Sequence, residues 1–98
     1  MSKGTDLIAE ERQRQVDVEG WTAEHDDKHG VATLAAAGAA YALVPQFRRG
    51  GQHLAGAHPL DLWPFGQDWW KPTNTVRDLV RAGALIAAAI DVELRRAD

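Results

Sequence analysis

Between Gly20 and His29 the chain reads Gly-Trp-Thr-Ala-Glu-His-Asp-Asp-Lys-His. The stretch holds the carboxylates of Glu24, Asp26 and Asp27, the imidazoles of His25 and His29, one lysine and one indole. Oxygen and imidazole donors without a thiolate suit magnesium, manganese or a non-haem metal. His25 and His29 would share one face of a helix, but the glutamate of a His-Glu-x-x-His motif is missing, because position 26 is aspartate. The competing reading is a hydrogen-bonded polar loop that caps the next helix and pairs with Arg12, Arg14 or Lys28. No catalytic residue, metal ligand or cofactor is assigned on these grounds.

The second constellation is Trp63-Pro64-Phe65-Gly66-Gln67-Asp68-Trp69-Trp70-Lys71-Pro72. Two adjacent indoles cannot both enter one core from a regular helix, so one is expected to face a groove. Aromatic faces beside Lys71 and Arg77 suit a nucleobase carrying phosphate. The alternative is a hydrophobic lid over a small helical core.

The elements that must position these groups are helical. Thr5 is expected to cap a first helix from Asp6 to about Asp17 or Val18, with an acid in its first turn. Its apolar stripe is thin, and Glu11, Arg12 and Gln15 line one strip. Either that strip is solvated, or Arg12 and Gln15 turn towards the acidic loop. Gly20 ends the segment, and Thr22 or Asp26 can initiate a turn. A second helix, nearly all apolar, is expected from between His29 and Val31 to Leu43, stopped by Pro45. Residues 45–74 read as a long connection, with 46–58 mobile and 60–72 ordered by its aromatic surface. Asn74 and Thr75 precede a third helix, with Thr75 and Asp78 at capping-box spacing, and it runs to about Arg95. Leu79, Val80, Ile86 and Ile90 are its expected core side. No alternating strand pattern occurs, so the expectation is a small all-α bundle of three main helices, one domain over residues 1–98.

Composition narrows the function classes. The 98 residues are 45% apolar and 26% charged, with a formal net charge of −3 and no cysteine. An acidic chain argues against general nucleic-acid binding. Without cysteine there is no thiolate nucleophile or zinc–sulfur site. No signal peptide is recognised, and the apolar run from Val31 to Val44 is short for a bilayer. A cytoplasmic protein without membrane association is expected. The alanine-rich helix would suit close pairing within or between subunits, which makes a homo-oligomer one partner expectation.

All-helical MazG-type pyrophosphohydrolases bind magnesium through paired carboxylates on facing helices. Glu24-x-x-Asp27 resembles half of that pattern, but the second helix carries no acid. More of the chain resembles a family of small uncharacterised phage and prophage proteins. The residues concerned are Ile8–Gln15, Glu19–His29, Trp63-Pro64, Trp69–Pro72 and Arg77–Ile86. A fainter similarity, carried by Arg12, Gln15, Gly20-Trp21-Thr22, Asp26-Asp27, Lys28-His29 and Arg77, is to the ryanodine-receptor repeat domain. Ala23 stands where that family has an aromatic, and its Pro-Tyr after the histidine is missing.

Together these resemblances imply a phage accessory protein, in the host cytoplasm, that binds a small nucleotide-type ligand and sequesters a host immune signal. A metal-dependent nucleotide hydrolase and an inhibitor of a host protein by surface contact are the alternatives. The ligand-binding residues expected are Arg12, Gln15, Trp21, Thr22, Asp26, Asp27, His29, Trp69, Trp70, Lys71 and Arg77.

Overall fold

A computed structural model describes residues 2–48 and 58–97. The main helices are α1 (Lys3–Asp17), α2 (Ala23–Arg48) and α4 (Thr75–Arg96). Between α2 and α4 lie the single-turn α3 (Pro59–Leu62) and a 3-10 turn at Gln67–Trp69. Among the described residues there is no strand, and the architecture is the small all-α bundle with a Trp/Pro/Gly-rich connection. Both α1 and α2 pack on α4, and α3 packs on α2.

Several boundaries differ from the sequence expectation, each for a local reason. The cap of α1 is Ser2, whose hydroxyl accepts the Thr5 N–H at 3.2 Å. Thr5 sits inside the first turn and its hydroxyl meets Ser2 Oγ at 2.7 Å. A short helical segment from Ala23 precedes the expected second helix, its first turn capped by the Thr22 hydroxyl, which accepts the His25 N–H. The two segments of α2 meet in a kink at Gly30, whose non-helical φ of +84° glycine adopts at little cost, so the long segment starts where the sequence placed it, between His29 and Val31. Pro45 lies inside α2, which continues to Arg48, so proline here removes one donor without stopping the helix. The expectation of mobility over 46–58 falls mainly on residues 49–57, outside the described residues. On α4 the cap is Asn74, which accepts the Arg77 N–H at 2.9 Å. Asp78 instead accepts the Thr73 N–H at 2.8 Å and is fully buried.

The core is made of small residues. Leu34, Ala37 and Tyr41 of α2 pack against Ala82, Leu85, Ala88, Ala89 and Val92 of α4. Val80 is buried as expected, but Leu79, Ile86 and Ile90 are 47%, 40% and 54% exposed, and Val76 and Leu94 join them on an outward stripe. The expected core face of α4 was therefore rotated. Alanines line its inner side because α2 presents alanine and glycine there, and large side chains would hold the helices apart. By length and composition alone, with a mean hydropathy of 1.3, α2 is long and apolar enough to cross a membrane. In this fold it is the core helix.

Gly38 sets the α2–α4 distance. A Cβ there would lie 2.9 Å from Ile86 Cδ1 and 3.1 Å from the Ala82 carbonyl oxygen. Alanine favours a helix over glycine by about 1 kcal/mol. Overpacking costs typically about 1–3 kcal/mol, and the Ala82 carbonyl cannot rotate away as a side chain can. Gly38→Ala is therefore expected to lower the melting temperature, and a rise would show that the helices separate freely.

Candidate functional site

The ionic framework of the site starts on α1. Glu11 and Gln15, read as members of a solvated or loop-facing strip, are each only 2% exposed. Glu11 receives both sides of the Arg14 guanidinium, at 2.9 and 3.0 Å, and the Gln15 amide at 3.1 Å. It also accepts from Arg77 of α4, which ties the two helices together. Burial pushes the Glu11 carboxyl up, but the hydrogen bonds and charges of Arg14 and Arg77 outweigh it and hold the group below its ordinary value of 4.5. The Glu11 carboxylate, with Glu19, raises the Arg14 guanidinium above its ordinary value. A buried charge held this way is stable only while its partners remain.

A second framework positions the tryptophan segment. The Lys71 N–H donates to the Tyr41 hydroxyl at 3.2 Å. Arg81 Nη1 donates to the Lys71 carbonyl at 2.7 Å, and its guanidinium lies 5.7 Å from the Tyr41 ring centre. Behind Arg81, Asp78 pairs with Arg48 at 2.7 Å, and Arg81 itself is 3.6 Å from Asp78. The connection is thus pinned to both α2 and α4. Burial raises the Tyr41 phenol above its ordinary value despite the Lys71 N–H and Arg81 charge.

Gly20, at φ +73°, turns the chain so that the Trp21 N–H returns to the Gln15 carbonyl at 2.9 Å. From Trp21 an aromatic ladder begins. The Trp21 ring stacks on His25, with centroids 5.4 Å apart and planes 4° from parallel. His25 meets His29 edge-on at 4.6 Å, His29 meets Phe65 at 5.0 Å, and Phe65 meets Trp63 at 5.2 Å. Trp63 and Tyr41 follow at 5.3 Å, with Trp70 tilted against both. His25 Nδ1 is 3.0 Å from the buried Asp26 carboxylate, which fixes the ring's orientation.

The ladder forms one wall of a cavity of about 690 Å³. Arg14, Arg77, Arg81 and Lys71 also line it, together with Glu11 and Glu19. Leu34 and Leu85 contribute the apolar floor. A volume of this size falls in the usual range of small-molecule sites, and their makeup is similar, apolar walls with a few convergent polar groups.

The expected site residues divide in two. Gln15, Trp21, His29, Trp69, Lys71 and Arg77 line this cavity. Arg12 does not; it reaches Asp26 at 3.4 Å and Asp91 at 3.6 Å, joining three helices. Asp26 is 1% exposed, within the packing behind His25. Asp27 turns outward to Arg95 Nη2 at 2.7 Å. Neither aspartate lines the cavity, contrary to the role of ligand acceptor expected for them. Thr22 caps α2, and Trp70 packs on Tyr41 and Trp63 beside a smaller hollow near Val44 and Pro72. Of the paired indoles, Trp69 faces the cavity and is 60% exposed.

Sequence reasoning missed Glu11, Arg14, Glu19, His25, Trp63, Phe65 and Arg81 as cavity residues. A signal existed for Arg81, four residues after Arg77 on the same helix face. For Glu11 none existed, since a glutamate on an early surface helix is ordinarily solvated. Among the described residues no three histidine or carboxylate side chains gather at metal-ligand distances. Comparison of the chain with protein-family models, curated proteins and solved structures gives no match in any of the three.

Proposed function

We propose that this protein is a binding module for a small nucleotide-type ligand, which it holds in the cavity and does not turn over. The observation that carries this reading is that an aromatic ladder and four cationic side chains line one cavity of about 690 Å³. Flat rings accept any base by stacking, worth about 1–3 kcal/mol per base. Guanidinium groups and a lysine offer donors to phosphate. Hydrolysis through a clamped divalent metal would need carboxylates free to ligate. The two in the cavity are engaged: Glu11 by Arg14 and Arg77, Glu19 by Arg14. In a phage-infected cell such a module would act by sequestering a signalling nucleotide. A protein-blocking role is favoured by one observation, the outward stripe of Val76, Leu79, Ile86, Ile90 and Leu94 on α4.

Trp69 and Lys71 are exposed, so their removal reads on binding and hardly on folding. Trp69→Ala is expected to weaken a bound nucleotide by about 1–3 kcal/mol in calorimetry. Lys71→Ala should weaken it less and reduce its salt dependence. Tryptophan fluorescence should change on binding, because Trp21, Trp63 and Trp69 line the cavity. Silence across mononucleotides, dinucleotides, cyclic oligonucleotides and ADP-ribose derivatives would end this reading and leave the α4 stripe as the functional surface.

A further inference from the structure

The charges around the cavity nearly cancel, and this bears on which nucleotides it can hold. Four cations line it: Arg14, Lys71, Arg77 and Arg81. Two carboxylates, Glu11 and Glu19, line it as well, and Asp78 lies 3.6 Å behind Arg81. Arg14 is bonded to both Glu11 and Glu19, Arg77 to Glu11, and Arg81 leans on Asp78 while donating to the Lys71 carbonyl. With the imidazoles neutral, the wall retains one to two positive charges, depending on how Asp78 is shared between Arg81 and Arg48. A terminal triphosphate brings three to four negative charges and would meet carboxylates already in place.

Aromatic surface, by contrast, is abundant. Trp69, 60% exposed, and Trp21, stacked flat on His25, both border the cavity and come from different segments of the chain. From Trp21 the ladder continues through His25 and His29 to Phe65, which also line the cavity. The cavity therefore offers two indole platforms and a weakly positive wall.

Resting on the nucleotide-binding reading, we propose that the site is built for two bases joined through phosphodiester linkages, and that it discriminates against terminal polyphosphates. Each linkage carries a single negative charge, which the wall can balance, and each base finds its own indole. Glu19 is the discriminating residue. It belongs to the exposed turn after α1, and its contact with Arg14 Nη1 at 3.1 Å keeps that guanidinium from a ligand phosphate.

The test is calorimetry at fixed ionic strength on the full chain. The probes are adenosine, AMP, ADP, ATP, the linear dinucleotide ApA and cyclic di-AMP, with the guanine series alongside. The expected order places a dinucleotide about tenfold or more tighter than the mononucleotide, as a second stacked base would give. Affinity should then fall from AMP through ADP to ATP. Glu19→Gln should raise ADP and ATP affinity several-fold relative to AMP. Affinity that rises with phosphate count overturns the charge argument while the nucleotide reading stands. So does a Glu19→Gln variant with unaltered selectivity. A dinucleotide no tighter than its mononucleotide removes the two-platform argument. Absence of binding by every probe defeats the nucleotide reading itself, and this inference with it.

Discussion

Glu11→Gln is expected to lower the stability of the protein by on the order of 2–3 kcal/mol, although the substitution changes neither shape nor volume. Breaking a buried ion pair by removing one partner usually costs about 3–5 kcal/mol. Here Arg14 and Arg77 are 40% and 33% exposed and can turn to water, so the cost falls below that range. For a chain of this length the loss corresponds to a melting temperature at least about 8 °C lower. The effect also has a pH signature. The folded-state pKa of Glu11 is depressed, so its contribution is present above the ordinary value of 4.5 and is lost as pH falls through the depressed value. The gap between wild type and Glu11→Gln should hold from neutral pH down to the ordinary value of 4.5 and narrow across the acid range below it. A gap that stays constant over that range would mean that packing, and not the carboxylate charge, is responsible.

The second large effect separates two neighbours on α4. Leu85 is 2% exposed in the middle of the core, whereas Ile86 is 40% exposed. Leu85→Ala should cost about 2–5 kcal/mol, as buried large-to-small changes do. Ile86→Ala should cost less than half as much, because only its tip is enclosed, against Gly38. Urea unfolding of the two variants, at matched protein concentration, measures the difference directly. Equal losses would show that the Ile86 face is covered in solution and that the stripe is an interface.

Local pattern and long-range pairing contributed differently to what could be read in advance. The three main helices, the absence of strands and the ordered aromatic connection follow from spacing, capping residues and side-chain size. These are properties of short segments. The face of α4 that turns inward did not follow from periodicity, because apolar residues occur nearly all the way round that helix. Ala82, Ala88 and Ala89 fill the inner side only because α2 brings Ala37 and Gly38 opposite.

The candidate site divides along the same line. The residue types in the Gly20–His29 stretch and the Trp63–Pro72 segment determined that aromatic and charged chemistry would be present. Their position beside helix ends made a shared cavity conceivable. Only the tertiary structure decided which members reach it. Asp26 is lost to His25 and Arg12, Asp27 to Arg95, and Trp70 to Tyr41, while Trp69 remains open. Glu11 gains its place because Arg77, 66 positions away, supplies the charge that makes its burial tolerable. A sequence specifies the donors and acceptors it carries, but partners that distant are selected by how the helices pack.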